Sequence, residues 1–155
     1  MATQTTSTIV IGASPPDVMT VIADVEAYPE WMTSIYDVRV LTTAAGGRPE
    51  EARFGLEVGP VKDTYTLAYA WIGDQQVQWH LVESQLITQL EGSYTLAALA
   101  DTSTQVTYQL TVDVALPMLG FIKRKAEKMI IDTALTELKR RVEMLSGDHK
   151  DGEHE

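Results

Sequence analysis

Between about residue 6 and residue 112 the chain alternates apolar and polar residues in short runs separated by Gly, Pro and Asp turns; beyond Leu116-Pro117 the period changes. Thr6 to Gly12 is β-branched and predicts a first strand. Ser14-Pro15-Pro16-Asp17 predicts a helix start, with Ser14 as N-cap and Pro15 in the first turn, and Val18, Val21 and Ile22 form its stripe. A second short helix or turn is predicted over Glu26 to Met32. Alternation then predicts six strands. Their inward sets are Tyr36, Val38 and Val40; Ala52, Phe54 and Leu56; Tyr65, Leu67, Tyr69 and Trp71; Val77, Trp79 and Leu81; Leu90, Gly92, Tyr94 and Leu96; and Val106, Tyr108, Leu110 and Val112. From roughly Met118 to Ser146, apolar residues recur every three or four positions, including Ile122, Met129, Ile130, Thr133, Ala134, Leu138 and Val142. That spacing predicts one long helix with a single apolar face, with Gly147 as its C-cap.

Tight turns between neighbouring strands predict an antiparallel meander. Clean alternation predicts one wet face and one apolar face, and the helix is the element available to cover the apolar one. The expected fold class is α+β: a seven-stranded curved antiparallel sheet wrapped around a long C-terminal helix, with two short helices after strand 1. A straight rod on a bent sheet leaves space beside its line of contact. The inward tyrosines make that space chemically distinctive, because a buried phenol requires a hydrogen-bond partner. A mostly apolar cavity with a few polar tips is what a small-molecule site looks like.

The 155 residues are enough for one domain, expected over 1–147, followed by an acidic tail over 148–155 expected to be disordered. The absence of Cys removes disulfides and thiolate chemistry. The N-terminus shows no signal-peptide pattern and no apolar run is long enough to span a membrane, so the expected location is the cytoplasm, without stable membrane insertion. Of the net charge of −10, the acidic excess lies before residue 123, which argues against a nucleic-acid partner. Residues 123–147 are basic, and that face either complements the acidic sheet or docks on an anionic partner.

Several segments carry a family resemblance: Ile9-Val10-Ile11-Gly12-Ala13-Ser14-Pro15-Pro16-Asp17-Val18, Asp24-Val25-Glu26-Ala27-Tyr28-Pro29-Glu30-Trp31, Gln78-Trp79, Gly92-Ser93-Tyr94-Thr95-Leu96 and Thr104-Gln105-Val106-Thr107-Tyr108. Over about residues 6 to 146 the chain resembles the START-like (SRPBCC) superfamily with its helix-grip fold. Within it the chain resembles the bacterial polyketide cyclase/dehydrase and lipid-transport family. The resemblance implies a deep cavity between sheet and helix for an apolar or amphipathic small molecule. The expected cavity residues are Tyr36, Phe54, Tyr65, Tyr69, Trp79, Tyr94, Tyr108, Ile122, Met129, Ile130 and Thr133. Tyr28, Trp31, Met32 and Met118 are the expected rim, with Trp31 alternatively an anchor of the short helix to the core.

Candidates for acid–base chemistry are few. His80 alternates with Trp79 and is expected outside, as are Arg53 and Glu57, while Asp113 falls at a strand end. Tyr65, Tyr69, Tyr94 and Tyr108 can donate to a carbonyl, but a phenol with a pKa near about 10 is a poor base. There is no His-carboxylate metal spacing, no G-x-S-x-G elbow and no phosphate loop, and Gly46-Gly47 reads as a hairpin turn. No cofactor or metal is expected. Three functions stay open: a carrier of a small apolar or amphipathic ligand (lipid, polyketide or quinone-like), a polyketide cyclase/dehydrase, and an interaction module using the basic helix face.

Overall fold

The computed structural model describes residues 4–58, 61–100, 102–115 and 120–154, with side chains at all of these except 61, 120–123 and 147–154. Strand β1 (Thr5–Ile11) leads into helix α1 (Pro15–Ala23) and a 3-10 helix over Val25–Glu30. Six strands follow: β2 (Ile35–Thr43), β3 (Pro49–Val58), β4 (Val61–Ile72), β5 (Gln76–Ser84), β6 (Ile87–Ala100) and β7 (Ser103–Val114). Helix α2 (Gly120–His154) closes the chain. All seven strands form one antiparallel sheet in the order β1-β7-β6-β5-β4-β3-β2. The meander predicted from the tight turns is therefore present, and β1 returns to pair with the last strand. Register shifts in the β2–β3, β4–β5 and β6–β7 ladders bend the strands.

α1 starts as its sequence dictates, with Pro early in the first turn and Val18, Met19, Val21 and Ile22 buried. Ser14 occupies the N-cap position, although its side chain makes no capping bond. α2 extends through Gly147, where a C-cap was expected.

The long helix lies chiefly along β1 and β7. Polar side chains fix it there. Lys139 Nζ donates to Val10 O at 2.7 Å, Gly12 N–H donates to Glu143 Oε2 at 2.8 Å, and Ser7 Oγ donates to Asp132 at 2.8 Å. Edge-strand backbone groups left open by the sheet are thus satisfied by the helix, which also blocks pairing with another chain. On the opposite flank Glu137 accepts from Thr33 N–H at 3.2 Å, and Arg141 pairs with Glu30 at 3.1 Å, tying α2 to the segment after α1.

These two rows of contacts decide which face of α2 meets the sheet. Ile131, Leu135, Leu138 and Val142 are essentially sealed, so they form the core stripe. The expected stripe needs correction: Met129 is 62% exposed, Ile130 is 40% exposed, and Thr133 is exposed. The physical reason is rotation about the helix axis. With Lys128, Asp132, Lys139 and Glu143 held against β1 and Glu137 and Arg141 held on the other flank, only the face between them can point inward.

Asp63 was not singled out in the sequence, yet it is 3% exposed and locks the far end of the sheet. Its carboxylate accepts N–H bonds from Thr64, Gln85, Leu86 and Ile87 at 2.8, 3.2, 3.1 and 3.2 Å. It thereby holds the β5–β6 turn against β4. Asp63→Ala strands those donors and is expected to cost about 2–4 kcal/mol, measured by urea denaturation.

Candidate functional site

Away from the α2 contact, the concave face of β3 to β7 carries a continuous aromatic chain. Trp31 meets Tyr28 edge-on at 5.1 Å, and Tyr28 approaches Phe54 at 6.2 Å. Phe54 stacks on Tyr65 at 5.4 Å and contacts Tyr69 at 6.5 Å. Tyr69 continues to Trp79 at 6.2 Å, and Trp79 to Tyr94 and Tyr108 at 5.3 and 5.7 Å. Tyr94 and Tyr108 close the series at 4.7 Å. Separations of this size are those of favourable offset and edge-to-face pairs.

Strand register explains this clustering. Tyr69, Trp79, Gly92, Leu110 and Thr5 form one inward row, each paired with the next across five neighbouring strands. Gly92 is needed there because the Trp79 indole lies flat over it. A Cβ at residue 92 would sit 2.5 Å from two indole carbons. The alternation makes Gly92 look like a gap in the inward face, and the structure shows that gap occupied by its neighbour.

The expected cavity set is brought together in part. Phe54, Tyr65, Tyr69, Trp79, Tyr94 and Tyr108 share the concave face. Tyr36 does not: it is 49% exposed on the outer face. A bulge between Ile35 and Asp37 turns Ile35 inward and Tyr36 out, where the ring covers Gly55 and Lys62 Nζ lies 5.4 Å from its centroid. Met129, Ile130 and Thr133 leave the set for the reason given above, and the Ile122 side chain and Met118 lie outside the described residues. Of the expected rim, Tyr28 is buried, and Trp31 and Met32 pack against the core. His80, Arg53 and Glu57 are exposed, as alternation predicts.

Electrostatically, the site holds neutral donors. Tyr28 is the one inward phenol with a protein acceptor among the described residues, its hydroxyl donating to Ile22 O. The hydroxyls of Tyr65, Tyr69, Tyr94 and Tyr108 have no hydrogen-bond partner among the described residues, and none is fully sealed. The Trp31 indole N–H, by contrast, is sealed without a partner. Burial raises the pKa of all five phenols, and neighbouring phenols add to the rise for Tyr28, Tyr65, Tyr69 and Tyr94. These groups are therefore hydrogen-bond donors and not bases. Among the described residues no cluster of His, Asp and Glu could hold a metal, and no helix is long and apolar enough to cross a membrane. Two open depressions, of about 610 and 330 Å³, lie outside the grip beside Pro15 and Ile72 and beside Gln78 and His80; neither gathers the aromatic set.

Residues 11–139 match the sequence profile of the family described as polyketide cyclase/dehydrase and lipid transport, and the chain belongs to that family. Its fold is the START-like helix grip. It is similar to a START superfamily protein from Mycobacterium smegmatis, with 25% identity and a TM-score of 0.85 over 92% of this chain and 98% of that one. The Zhui aromatase/cyclase from Streptomyces sp. R1128 shares the fold at 15% identity and a TM-score of 0.78, over 92% of this chain and 94% of that one. The di-domain aromatase/cyclase BexL of the BE-7585A biosynthetic pathway shares it at 14% identity and a TM-score of 0.71, over 93% of this chain and 47% of that one. No curated protein matches significantly.

Gly92→Ala drives a methyl into the Trp79 indole and is expected to cost about 1–3 kcal/mol, visible as a lowered melting temperature with altered Trp fluorescence. A phenol pKa raised by folding means that the folded state holds the proton more tightly. That stability is intact below about pH 10 and is lost as pH rises further. Absorbance at alkaline pH is expected to show the five inward tyrosines ionising together with unfolding and not at the free-phenol midpoint.

Proposed function

We propose that this protein binds a small apolar or amphipathic molecule in the concave space between the sheet and α2. The observation that carries the reading is the aromatic wall with four phenol hydroxyls that lack acceptors among the described residues. A purely structural core satisfies its buried hydroxyls internally, whereas a binding site leaves them for the guest. Family membership supports the same reading, since the family's description names both cyclase/dehydrase activity and lipid transport. The working location is taken as the cytoplasm of a bacterium, with one guest per chain.

A second reading is a cyclase or dehydrase acting on a poly-ketone in the same space. The motivating observation is the convergence of neutral donors, which suits polarising a carbonyl. It draws further support from the aromatase/cyclases that share the fold. Among the described residues no uncommitted acid–base group lies beside those donors on the aromatic wall, where the carboxylate of Asp63 is taken up by backbone N–H groups, so binding is the reading preferred here. The interaction-module reading is weaker. Lys128, Lys139 and Arg141 are engaged within the molecule, by Asp132, by Val10 O and Glu143, and by Glu30.

Protein purified from its own host is expected to show a small-molecule adduct in native mass spectrometry, and Nile red is expected to brighten and saturate at about one equivalent. A bare mass together with no saturable dye response overturns the binding reading. Turnover of a poly-ketone thioester that disappears when Tyr65, Tyr69, Tyr94 and Tyr108 are all changed to Phe favours the enzymatic one.

A further inference from the structure

Among the described residues three carboxylates are buried, Asp63 and Glu127 at 3% exposure and Glu137 at 8%, while no Lys, Arg or His is. Their compensation is unequal. Asp63 has four backbone N–H donors, and Glu137 takes the N–H of Thr33. Glu127 has a single neutral donor, the Thr5 hydroxyl, at 3.2 Å from Oε2. Its Oε1 has no partner among the described residues and is not fully sealed. The cation next to it in sequence, Lys128, is turned to Ser7 and Asp132. A buried carboxylate held by one neutral hydroxyl is an unmet acceptor, and such groups are normally paired or solvated.

Its position gives that acceptor a use. Glu127 lies on the same inward stripe of α2 as Ile131, Leu135 and Leu138, so it faces the sheet. Thr5 pairs with Leu110, Leu110 with Gly92, and Gly92 with Trp79. The carboxylate therefore stands over one end of the inward row that runs into the aromatic wall, a separation of about 5 Å per strand. A guest lying along that row has phenol and indole donors at one end and a carboxylate at the other.

We infer that Glu127 is the polar anchor of the guest, accepting a hydrogen bond from a hydroxyl or an ammonium group, so that the site takes neutral or cationic amphipathic molecules and turns away free carboxylates such as fatty acids. This rests on the binding reading above and narrows it. Two features combine to give the sign of the selection: the uncompensated oxygen attracts a donor, and no buried cation is present among the described residues to neutralise an acid head group.

The test uses the full chain, with bound Nile red displaced by three ten-carbon competitors: decan-1-ol, decylamine and decanoate. The whole protein is acidic, so the quantity read is the decylamine-to-decanoate preference, each referred to decan-1-ol, in variant against wild type. Glu127→Gln preserves shape and the Thr5 bond, and is expected to lower that preference by about tenfold or more. Glu91→Gln removes one charge from the exposed outer face and is expected to leave it unchanged. Thr5→Val takes away the only partner of Glu127 among the described residues and is expected to move the preference further toward the amine. Equal preferences in wild type, Glu127→Gln and Thr5→Val overturn the anchor while retained Nile red leaves the binding reading standing. Failure of Nile red to bind the wild type, together with a bare mass in native mass spectrometry, overturns both. Circular dichroism establishes that each variant is folded, and should Glu127→Gln not fold, an unmoved preference in Thr5→Val overturns the anchor by itself.

Discussion

The arrangement depends on how α2 holds the edge of β1. A sheet edge presents backbone groups that need partners, and here Val10 O and Gly12 N–H find them on Lys139 and Glu143 of the helix. Once those bonds are made, the line of the helix is set over β1 and β7 and its rotation follows. Everything on the concave face of β3 to β5 must then be shielded by side chains and not by a helix. Large rings are the economical way to do that, since each removes much apolar surface from water with few rotatable bonds.

The rings that do this work are mostly tyrosines, and that choice shapes the chemistry. Phe at the same positions would leave a dry, featureless wall. Phenols place donors along it, and burial suppresses their ionisation, so the wall stays neutral and donor-rich over the ordinary pH range. Among the described residues, charge enters the interior as carboxylate alone. Asp63 is absorbed by the backbone of the β5–β6 turn, and Glu137 ties α2 to the segment after α1. Of the three, Glu127 alone is left with capacity to spare among the described residues.

The strands, the two short helices, the long helix and the meander order were all legible in the sequence, because period-two alternation and period-three-to-four spacing are local properties. The inward phase of β3 to β7 was legible for the same reason, and with it Phe54, Tyr65, Tyr69, Trp79, Tyr94 and Tyr108. The misplaced residues fail where a local rule gives way to a contact distant in sequence. Tyr36 is turned outward by a bulge set through pairing with β3. Met129, Ile130 and Thr133 are turned outward because ion pairs and hydrogen bonds to β1 and to the Glu30–Thr33 segment select another face of α2. A helix carrying apolar residues on several sides does not state by itself which side will be buried. The buried acids were missed because an Asp or Glu in an alternating or helical pattern reads as surface.

What the sequence determined by itself, then, is the list of elements, their order and the aromatic character of one face of the sheet, since each depends on residues a few positions apart. What only the tertiary structure decided is the rotation of α2, the outward turn of Tyr36, the stacking of Trp79 on Gly92 and the burial of Asp63 and Glu127. Those outcomes depend on groups far apart in the chain, such as Thr5 and Glu127 or Asp63 and Leu86, whose meeting is fixed by register and by the need of buried polar groups for partners.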